Sequence, residues 1–82
     1  MKNPEISKAI VRILWSVGGV YMRESVLGDE TEIRLRRGLS GDEFRRELAS
    51  LRSDGLVTKD MDPFGEATYT LTAAGRDAAR RL

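Results

Sequence analysis

The side chains that could do chemistry in this chain are carboxylates, serines, lysines and tyrosines, because its 82 residues include no Cys and no His. That composition excludes thiolate nucleophiles, disulfides, imidazole catalysis and the usual transition-metal clusters. Asp29, Glu30 and Glu32 lie close together in sequence, but nothing in the pattern turns a pair of them inward. Neither a phosphate-cradling Gly-x-x-x-x-Gly-Lys loop nor a Gly-x-Gly-x-x-Gly motif occurs. We therefore expect no enzyme activity and no cofactor.

A second acidic group, formed by Asp60, Asp62 and Glu66, resembles a calcium-binding loop in composition only. Its spacing does not match the twelve-residue pattern in which alternate positions supply the oxygen ligands. The sequence therefore predicts no metal site.

The basic residues do not form an excess, since 14 Lys and Arg face 13 Asp and Glu and the net charge is +1. Phosphate neutralisation supplies most of the affinity of nucleic-acid binders, so total charge gives no argument for that function. Arg45 and Arg46 follow Asp42 by three and four residues, the spacing of helical ion pairs. Arg76 and Arg80 share a face of the last predicted helix, where the helix dipole alone favours cations and a solvated face is expected.

The first predicted helix begins at Pro4 and ends at Gly18-Gly19. Its apolar residues recur with helical spacing at Ile6, Ala9, Ile10, Ile13, Leu14 and Val17. Val11 and Trp15 lie roughly opposite that stripe, so the helix is apolar on two sides. Either the last helix covers the second side, or Trp15 belongs to a homodimer interface.

The next segments are a short edge strand at Val20-Tyr21-Met22 and an irregular helical region from Arg23 to Arg37. In this region Met22, Val26 and Ile33 share a face, while Gly28 lowers helix propensity. One kinked helix and two short helices both fit the pattern.

The helix Ser40 to Ser53 has the clearest boundaries. Ser40 and Glu43 form a capping box, and Leu39 with Phe44 can form the hydrophobic staple across it. Phe44, Leu48 and Leu51 are spaced to face the core. Gly55 follows as the residue expected in the left-handed conformation beyond the helix.

Two strands and a last helix complete the chain. The strands are predicted at Leu56 to Asp60 and Ala67 to Leu71, joined by a hairpin loop that contains Pro63 and Gly65. Thr72 can cap a helix from Ala73 to Leu82, in which Ala74, Ala78 and Leu82 align at four-residue spacing.

Two motifs carry a resemblance to a known family: Phe44-x-x-x-Leu48-x-x-Leu51-x-x-x-Gly55-Leu56-Val57 and Tyr69-x-Leu71-Thr72-x-x-Gly75-Arg76. Together with the order α-β-α-α-β-β-α, they are similar to those of winged helix-turn-helix proteins, especially bacterial transcription regulators of the multiple-antibiotic-resistance and phenolic-acid-regulator types. The resemblance implies a mainly α fold with a small antiparallel β-wing, as a single domain over residues 1–82.

The resemblance also implies a DNA-binding protein, a transcriptional or mobile-element regulator that places the helix Ser40 to Ser53 in the major groove. By position, Arg45, Arg46 and Ser50 would face the groove, whereas Arg36, Arg37 and Lys59 would contact the backbone. Double-stranded DNA is the implied partner. A homodimer is expected because one short helix contacts too little duplex for useful affinity.

The wing is the main departure from the family, because Lys59 faces Asp60, Asp62 and Glu66, whereas wings in the minor groove usually present cations. For Phe64 at its tip we consider a folded-back core contact first, then a partner contact, then a nucleic-acid wedge. The alternative function is a protein–protein interaction module that does not bind nucleic acid. Its candidate contacts, and those of a dimer, are Trp15, Phe64 and Leu82.

Length and hydropathy limit the class of protein. Eighty-two residues suffice for one modest core. The start of the chain lacks the apolar run of a signal peptide, and no stretch of 18 apolar residues occurs. We therefore expect a cytoplasmic protein that is not in a membrane.

Overall fold

The computed structural model describes residues 3–82, which form four helices and a three-stranded antiparallel sheet. The elements are α1 (Pro4–Ser16), β1 (Met22–Arg23), α2 (Glu24–Leu35), α3 (Gly41–Ser53), β2 (Val57–Met61), β3 (Ala67–Leu71) and α4 (Ala73–Arg80). The predicted order α-β-α-α-β-β-α is confirmed.

Helix α1 is the centre of the fold and packs against α2, α3, α4 and β3. The Asn3 side chain caps it by accepting hydrogen bonds from the backbone N–H groups of Glu5 and Ile6, at 3.1 and 3.4 Å. Val11, on the second apolar side, is buried, and α4 lies against α1 as expected. Trp15 is only partly covered, with 42% of its surface exposed.

Helix α2 is one continuous helix, and the predicted grouping of its apolar residues does not mark the buried face. Val26 and Ile33 are exposed, whereas Leu27 and Thr31 are buried. The Thr31 hydroxyl donates to the Leu27 carbonyl oxygen at 2.7 Å, and this bond lets a polar residue occupy the core. A Cβ built on Gly28 would lie 3.3 Å from the Phe44 ring, so Gly28 allows α2 and α3 to pack closely.

Helix α3 begins as predicted, because the Ser40 hydroxyl oxygen accepts a hydrogen bond from the Glu43 backbone N–H at 3.0 Å. Phe44, Leu48 and Leu51 are buried, as expected. Glu47 is buried as well, at 3% exposure. Its two carboxylate oxygens accept from the Asn3 backbone N–H at 2.7 Å and from the Ser7 hydroxyl at 2.8 Å. These bonds attach α3 to the first turn of α1.

The sheet has the order β1-β3-β2, so β3 is central and β1 is an edge strand, as predicted. In the register, Val57 pairs with Leu71, and Met22 pairs with Tyr69. The edge strand lies later than predicted, because Val20 and Tyr21 precede it and are exposed. Strand β2 likewise runs one residue later than predicted at each end.

Helix α4 is shorter than predicted and buries a different face. It ends at Arg80, and the buried residues are Gly75 and Ala79, whereas Ala74 is exposed and Leu82 is 45% exposed. The reason is a close approach: a Cβ on Gly75 would overlap the backbone carbonyl of Leu56. Gly75 therefore permits α4 to lie directly on the chain that enters β2.

Candidate functional site

The exposed surface of α3 is set by its buried side. Because successive residues are rotated by about 100° around a helix, the burial of Phe44, Leu48 and Leu51 turns the opposite face outward. That face carries Asp42, Arg46, Ala49 and Ser53, all of which are exposed. The turn after α2 precedes this outward face in the chain, and the β2–β3 hairpin follows it.

Arg45 and Arg46 are in different environments. Nη2 of Arg45 lies 3.1 Å from Oδ1 of Asp42, so the ion pair allowed by their spacing forms here. Within the part of the chain that the structure describes, Arg46 has no ion-pair partner and its side chain is exposed. Arg46 is therefore available for an external anion without breaking an internal contact, whereas Arg45 must first leave Asp42.

A shallow groove of about 560 Å³ separates the C-terminal half of α3 from β2. It is lined by Ala49, Arg52, Ser53, Val57, Thr58 and Lys59. This lining holds two cations and two hydroxyl groups and no carboxylate. Such a combination is suited to phosphate oxygens, which accept hydrogen bonds from hydroxyl donors and attract cations.

The acidic residues lie at the other end of α3. A second groove, between α2 and the N-terminal half of α3, is lined by the acids Glu24, Asp29, Glu32 and Glu66. Arg45 lines this acidic groove and not the cationic one. The near-zero net charge of the chain therefore conceals a separation of charge along α3.

The turn between α2 and α3 places Arg36 and Arg37 at the surface. Arg36 ends α2 in the left-handed conformation with φ of 57°, the one positive φ of a non-glycine residue among residues 3–82. Nη1 of Arg37 lies 3.5 Å from Oε1 of Glu43 and donates to the Gly38 carbonyl at 3.1 Å. Arg37 is thereby attached to the first turn of α3, whereas Arg36 is exposed.

The acidic loop of the hairpin is built around Asp62. Its Oδ1 accepts hydrogen bonds from the backbone N–H groups of Phe64 and Glu66, at 2.9 and 2.8 Å. Its Oδ2 lies 3.1 Å from Nε of Arg23. The Glu66 N–H, aided by the Phe64 N–H and the Arg23 guanidinium, holds the pKa of Asp62 below its ordinary value of 3.8, although burial opposes the shift. Asp62 is thus a structural residue of the hairpin.

Glu66, the last acid of the hairpin, is also held internally. Its Oε1 accepts a hydrogen bond from the Ser25 hydroxyl at 2.5 Å, and its Oε2 lies 3.9 Å from Nε of Arg23. Two of the three acids counted against nucleic-acid binding therefore pair with Arg23 within the fold. Asp60 accepts a hydrogen bond from the Met61 backbone N–H at 2.8 Å and is exposed.

Phe64 does not fold back onto the core, so the interpretation that we placed first is wrong. Its exposure is 87%, the highest among the large hydrophobic residues of the described chain. The physical reason is the Asp62 carboxylate, which holds the Phe64 and Glu66 backbone and keeps the tip turned away from the domain. Phe64 stays a predicted interaction residue, and its ring is accessible to a partner.

Tyr69 provides a buried polar link behind the sheet. Its hydroxyl donates to Oε1 of Glu24 at 2.9 Å, and burial together with this hydrogen bond raises the pKa of Tyr69 to about 12. The link joins β3 to the start of α2.

The predicted site residues therefore fall into separate groups. Arg46 and Ser50 lie on α3, with Ser50 partly buried, and Lys59 lies across the groove on β2. Trp15 and Leu82 belong to the α1 and α4 side of the molecule. No contact was predicted for Arg52, which shares the cationic groove with Lys59. The sequence signal that could have found Arg52 is its position on α3, next to Ser53 of the outward face.

Several solved structures have a fold similar to that of this chain. RosR from H. salinarum aligns with a TM-score of 0.81 and 23% identity, covering 93% of this chain and 66% of that one. A MarR-family transcriptional regulator from Silicibacter pomeroyi aligns with a TM-score of 0.72 and 24% identity, covering 93% of this chain. F93 from STIV, a winged-helix DNA-binding protein, aligns with a TM-score of 0.76 and 21% identity, covering 99% of this chain and 87% of that one.

These likenesses show that the chain has the winged-helix fold, as the resemblance implied. It spans only 47% of the length of the Silicibacter regulator. No protein-family model and no curated protein sequence matches the chain. None of the helices in residues 3–82 is long and apolar enough to cross a membrane.

Proposed function

We propose that this chain binds double-stranded DNA with α3 in the major groove, as a transcriptional or mobile-element regulator. The observation that supports this most directly is the groove between α3 and β2, whose lining includes Arg52 and Lys59 and no acid. The MarR-family regulator and the winged-helix DNA-binding protein with similar folds support the same function.

In this proposal the residues divide into those that read bases and those that hold the backbone. Arg46 projects from the outward face of α3 and can donate two hydrogen bonds to a guanine, while Ser50 can donate or accept. The groove with Arg52 and Lys59 receives one phosphate strand. Arg36 and Arg37, in the turn before α3, contact the other side of the backbone. Arg45 exchanges Asp42 for a phosphate as the duplex approaches.

A single copy of the chain contacts only a small area of a duplex. Single DNA-binding modules bury only about 600–1,000 Å² of protein surface, so useful affinity requires more than one copy on neighbouring sites. The homodimer expected from the sequence therefore forms part of the proposal.

The test is an amide chemical-shift titration with mixed-sequence duplex at low salt and then at moderate salt. We expect shifts along Arg45 to Ser53 and at Lys59, reversed by salt because phosphate contacts release counterions. Arg46→Ala should weaken duplex binding by about 5- to 150-fold, the range expected for one bidentate base contact. Arg12→Ala is the matched control, because Arg12 is also exposed but lies on α1.

Two results would contradict the proposal. One is an absence of shifts at low salt, where even non-specific phosphate contacts are visible. The other is an equal loss of affinity in Arg46→Ala and Arg12→Ala, which would indicate attraction to total charge alone.

The exposed Phe64 favours a second function, a protein-interaction module that does not bind nucleic acid. A ring with 87% exposure on a hairpin held by Asp62 is presented as an anchor for a protein contact. Duplex titration separates the two functions. If the chain is only a protein-interaction module, added duplex leaves the amide signals of α3 unshifted. An apolar contact between Phe64 and a protein partner would respond little to salt.

A further inference from the structure

The surface of the molecule has a cavity that could bind the exposed Phe64 ring of another copy. A cavity of about 450 Å³ opens between α1, the end of β3 and α4. It is lined by Leu14, Trp15, Gly18, Gly19, Leu71 and Arg76. The Leu14 and Leu71 side chains form an apolar floor, and the Trp15 ring is available as a wall. The volume exceeds that of a phenyl ring.

The hairpin that carries Phe64 and the surface around the cavity have opposite charges. The hairpin carries three carboxylates, at Asp60, Asp62 and Glu66, against the cations of Lys59 and Arg23. On the cavity side, α4 and the residue after it carry Arg76, Arg80 and Arg81 against Asp77 alone. Nη1 of Arg76 lies at the cavity and donates to the Leu71 carbonyl at 3.3 Å. The Arg80 guanidinium lies 5.7 Å from the centre of the Trp15 ring.

A molecule cannot fill its own cavity. Leu71 lies at the C-terminal end of β3, beside the cavity, whereas the hairpin loop precedes Ala67 at the other end. At about 3.3 Å per residue these ends are ~13 Å apart along the strand, and the loop extends farther away. The contact must therefore join two molecules.

We propose that the Phe64 tip of one copy inserts into the Trp15-lined cavity of a second copy, in a head-to-tail contact. The contact uses a different surface on each partner, so a bound pair still offers one free tip and one free cavity. This arrangement allows copies to line up in a row. It does not require duplex, and its test can fail while the proposed DNA binding stands.

The expected contact is weak. An aromatic ring buries about 150–250 Å², and a hairpin tip around it leaves the total below ~1,200 Å², the class of transient contacts. The tip is held in place by Asp62 before binding, which lowers the entropy lost on association. Self-association is therefore expected at high micromolar protein concentration rather than at nanomolar concentration.

The first test follows the Trp15 indole N–H signal and the mass by sedimentation as protein concentration rises. We expect the indole signal to move and the average mass to grow beyond the 9.2 kDa monomer. Phe64→Ala should abolish both changes. Ile33→Ala is the matched control, because it shortens another highly exposed apolar side chain on α2 and should change neither.

The second test mixes two variants. Phe64→Ala lacks the tip and keeps the cavity, whereas Arg76→Glu opposes the acidic tip and keeps its own Phe64. We expect a mixture to form one-to-one pairs and no larger species. The Trp15 indole signal should move in labelled Phe64→Ala on adding unlabelled Arg76→Glu, and should stay unchanged with the labels reversed. Arg80→Glu replaces Arg76→Glu if the latter does not fold.

Three results would overturn the proposal. One is a monomeric mass at all concentrations, and another is a symmetric dimer that survives Phe64→Ala. The third is movement of the Trp15 signal in both labelling directions, which a head-to-tail contact does not allow.

Discussion

At the scale of single residues, two carboxylates decide local structure by accepting backbone hydrogen bonds. Glu47 closes the first turn of α1 by accepting from Asn3 and Ser7, and Asp62 closes the hairpin tip. In each case a negative charge faces donors that would otherwise lack a partner, the arrangement in which a carboxylate is most useful to a fold. Both carboxylates are therefore engaged in contacts within the fold.

Asp62 gives a pH prediction. Its folded pKa lies below 3.8, so its contribution to stability is complete above the unfolded pKa and is lost as pH falls through the folded pKa. We expect the amide signals of Phe64 and Glu66 to titrate together with a midpoint below 3.8. Asp62→Asn should remove this shared step. A midpoint at or above 3.8 would mean that these hydrogen bonds do not favour the ionised form.

The same residues show the limit of reading a sequence at this scale. Ser40 was found because its partner lies three residues away, whereas Glu47 accepts from residues 44 and 40 positions distant. Periodicity rules assign a charged residue to solvent, and no local pattern reveals a partner so far along the chain. The exposure of Phe64 was mispredicted for a related reason, because the role of Asp62 depends on hairpin geometry.

At the scale of elements, helix existence and order were predictable and buried faces less so. The faces of α1 and α3 were correct because their apolar residues form continuous stripes. In α2 and α4 the aligned apolar residues do not mark the buried face, because contacts with neighbouring elements decide which face is buried. In α4 the decisive residue is Gly75, whose lack of a side chain allows the contact with Leu56. The sequence placed Gly75 in the motif Tyr69-x-Leu71-Thr72-x-x-Gly75-Arg76 but did not reveal this contact.

Gly75 therefore gives an element-scale prediction. The Leu56 carbonyl also accepts from the Thr72 N–H at 3.0 Å, so it cannot move away cheaply. Gly75→Ala should force α4 outward and cost about 1–3 kcal/mol of unfolding free energy in urea titration, as overpacked sites do. Gly38→Ala is the matched control, since a Cβ there meets nothing within 4 Å. Equal effects of the two substitutions would show that the close approach does not constrain α4.

At the scale of the whole molecule, the placement of charge carries more information than its sum. The net charge of +1 gave no reason to expect an anionic partner. The fold nevertheless separates a groove without acids, at one end of α3, from a groove rich in acids at the other. The fold creates this separation, because the acids of α2 and Glu66 of the hairpin are distant in sequence and meet in one groove beside the N-terminal half of α3. A residue count cannot reveal it.

Asp42 and Asp77 test whether placement or total charge governs duplex binding. Each is exposed and paired with an Arg three residues later, so converting either to Asn raises the net charge equally. Asp42 lies at the start of α3, where its carboxylate would repel the phosphates of a duplex whose major groove holds α3. Its replacement removes that repulsion and frees Arg45 from its ion pair. Asp42→Asn should therefore tighten duplex binding by about 2- to 5-fold at low salt, the size of a surface charge effect.

Asp77→Asn should change duplex affinity much less, because Asp77 lies on α4 beside the Trp15 side of the molecule. Fluorescence anisotropy with a labelled duplex at two salt concentrations measures both variants. Asp42→Asn should lose about 0.3–1 kcal/mol of stability, because Asp42 complements the α3 dipole, so the gain in affinity cannot come from a firmer fold. Equal gains from the two variants would show that duplex affinity depends on total charge. That result would contradict the placement of α3 in the major groove.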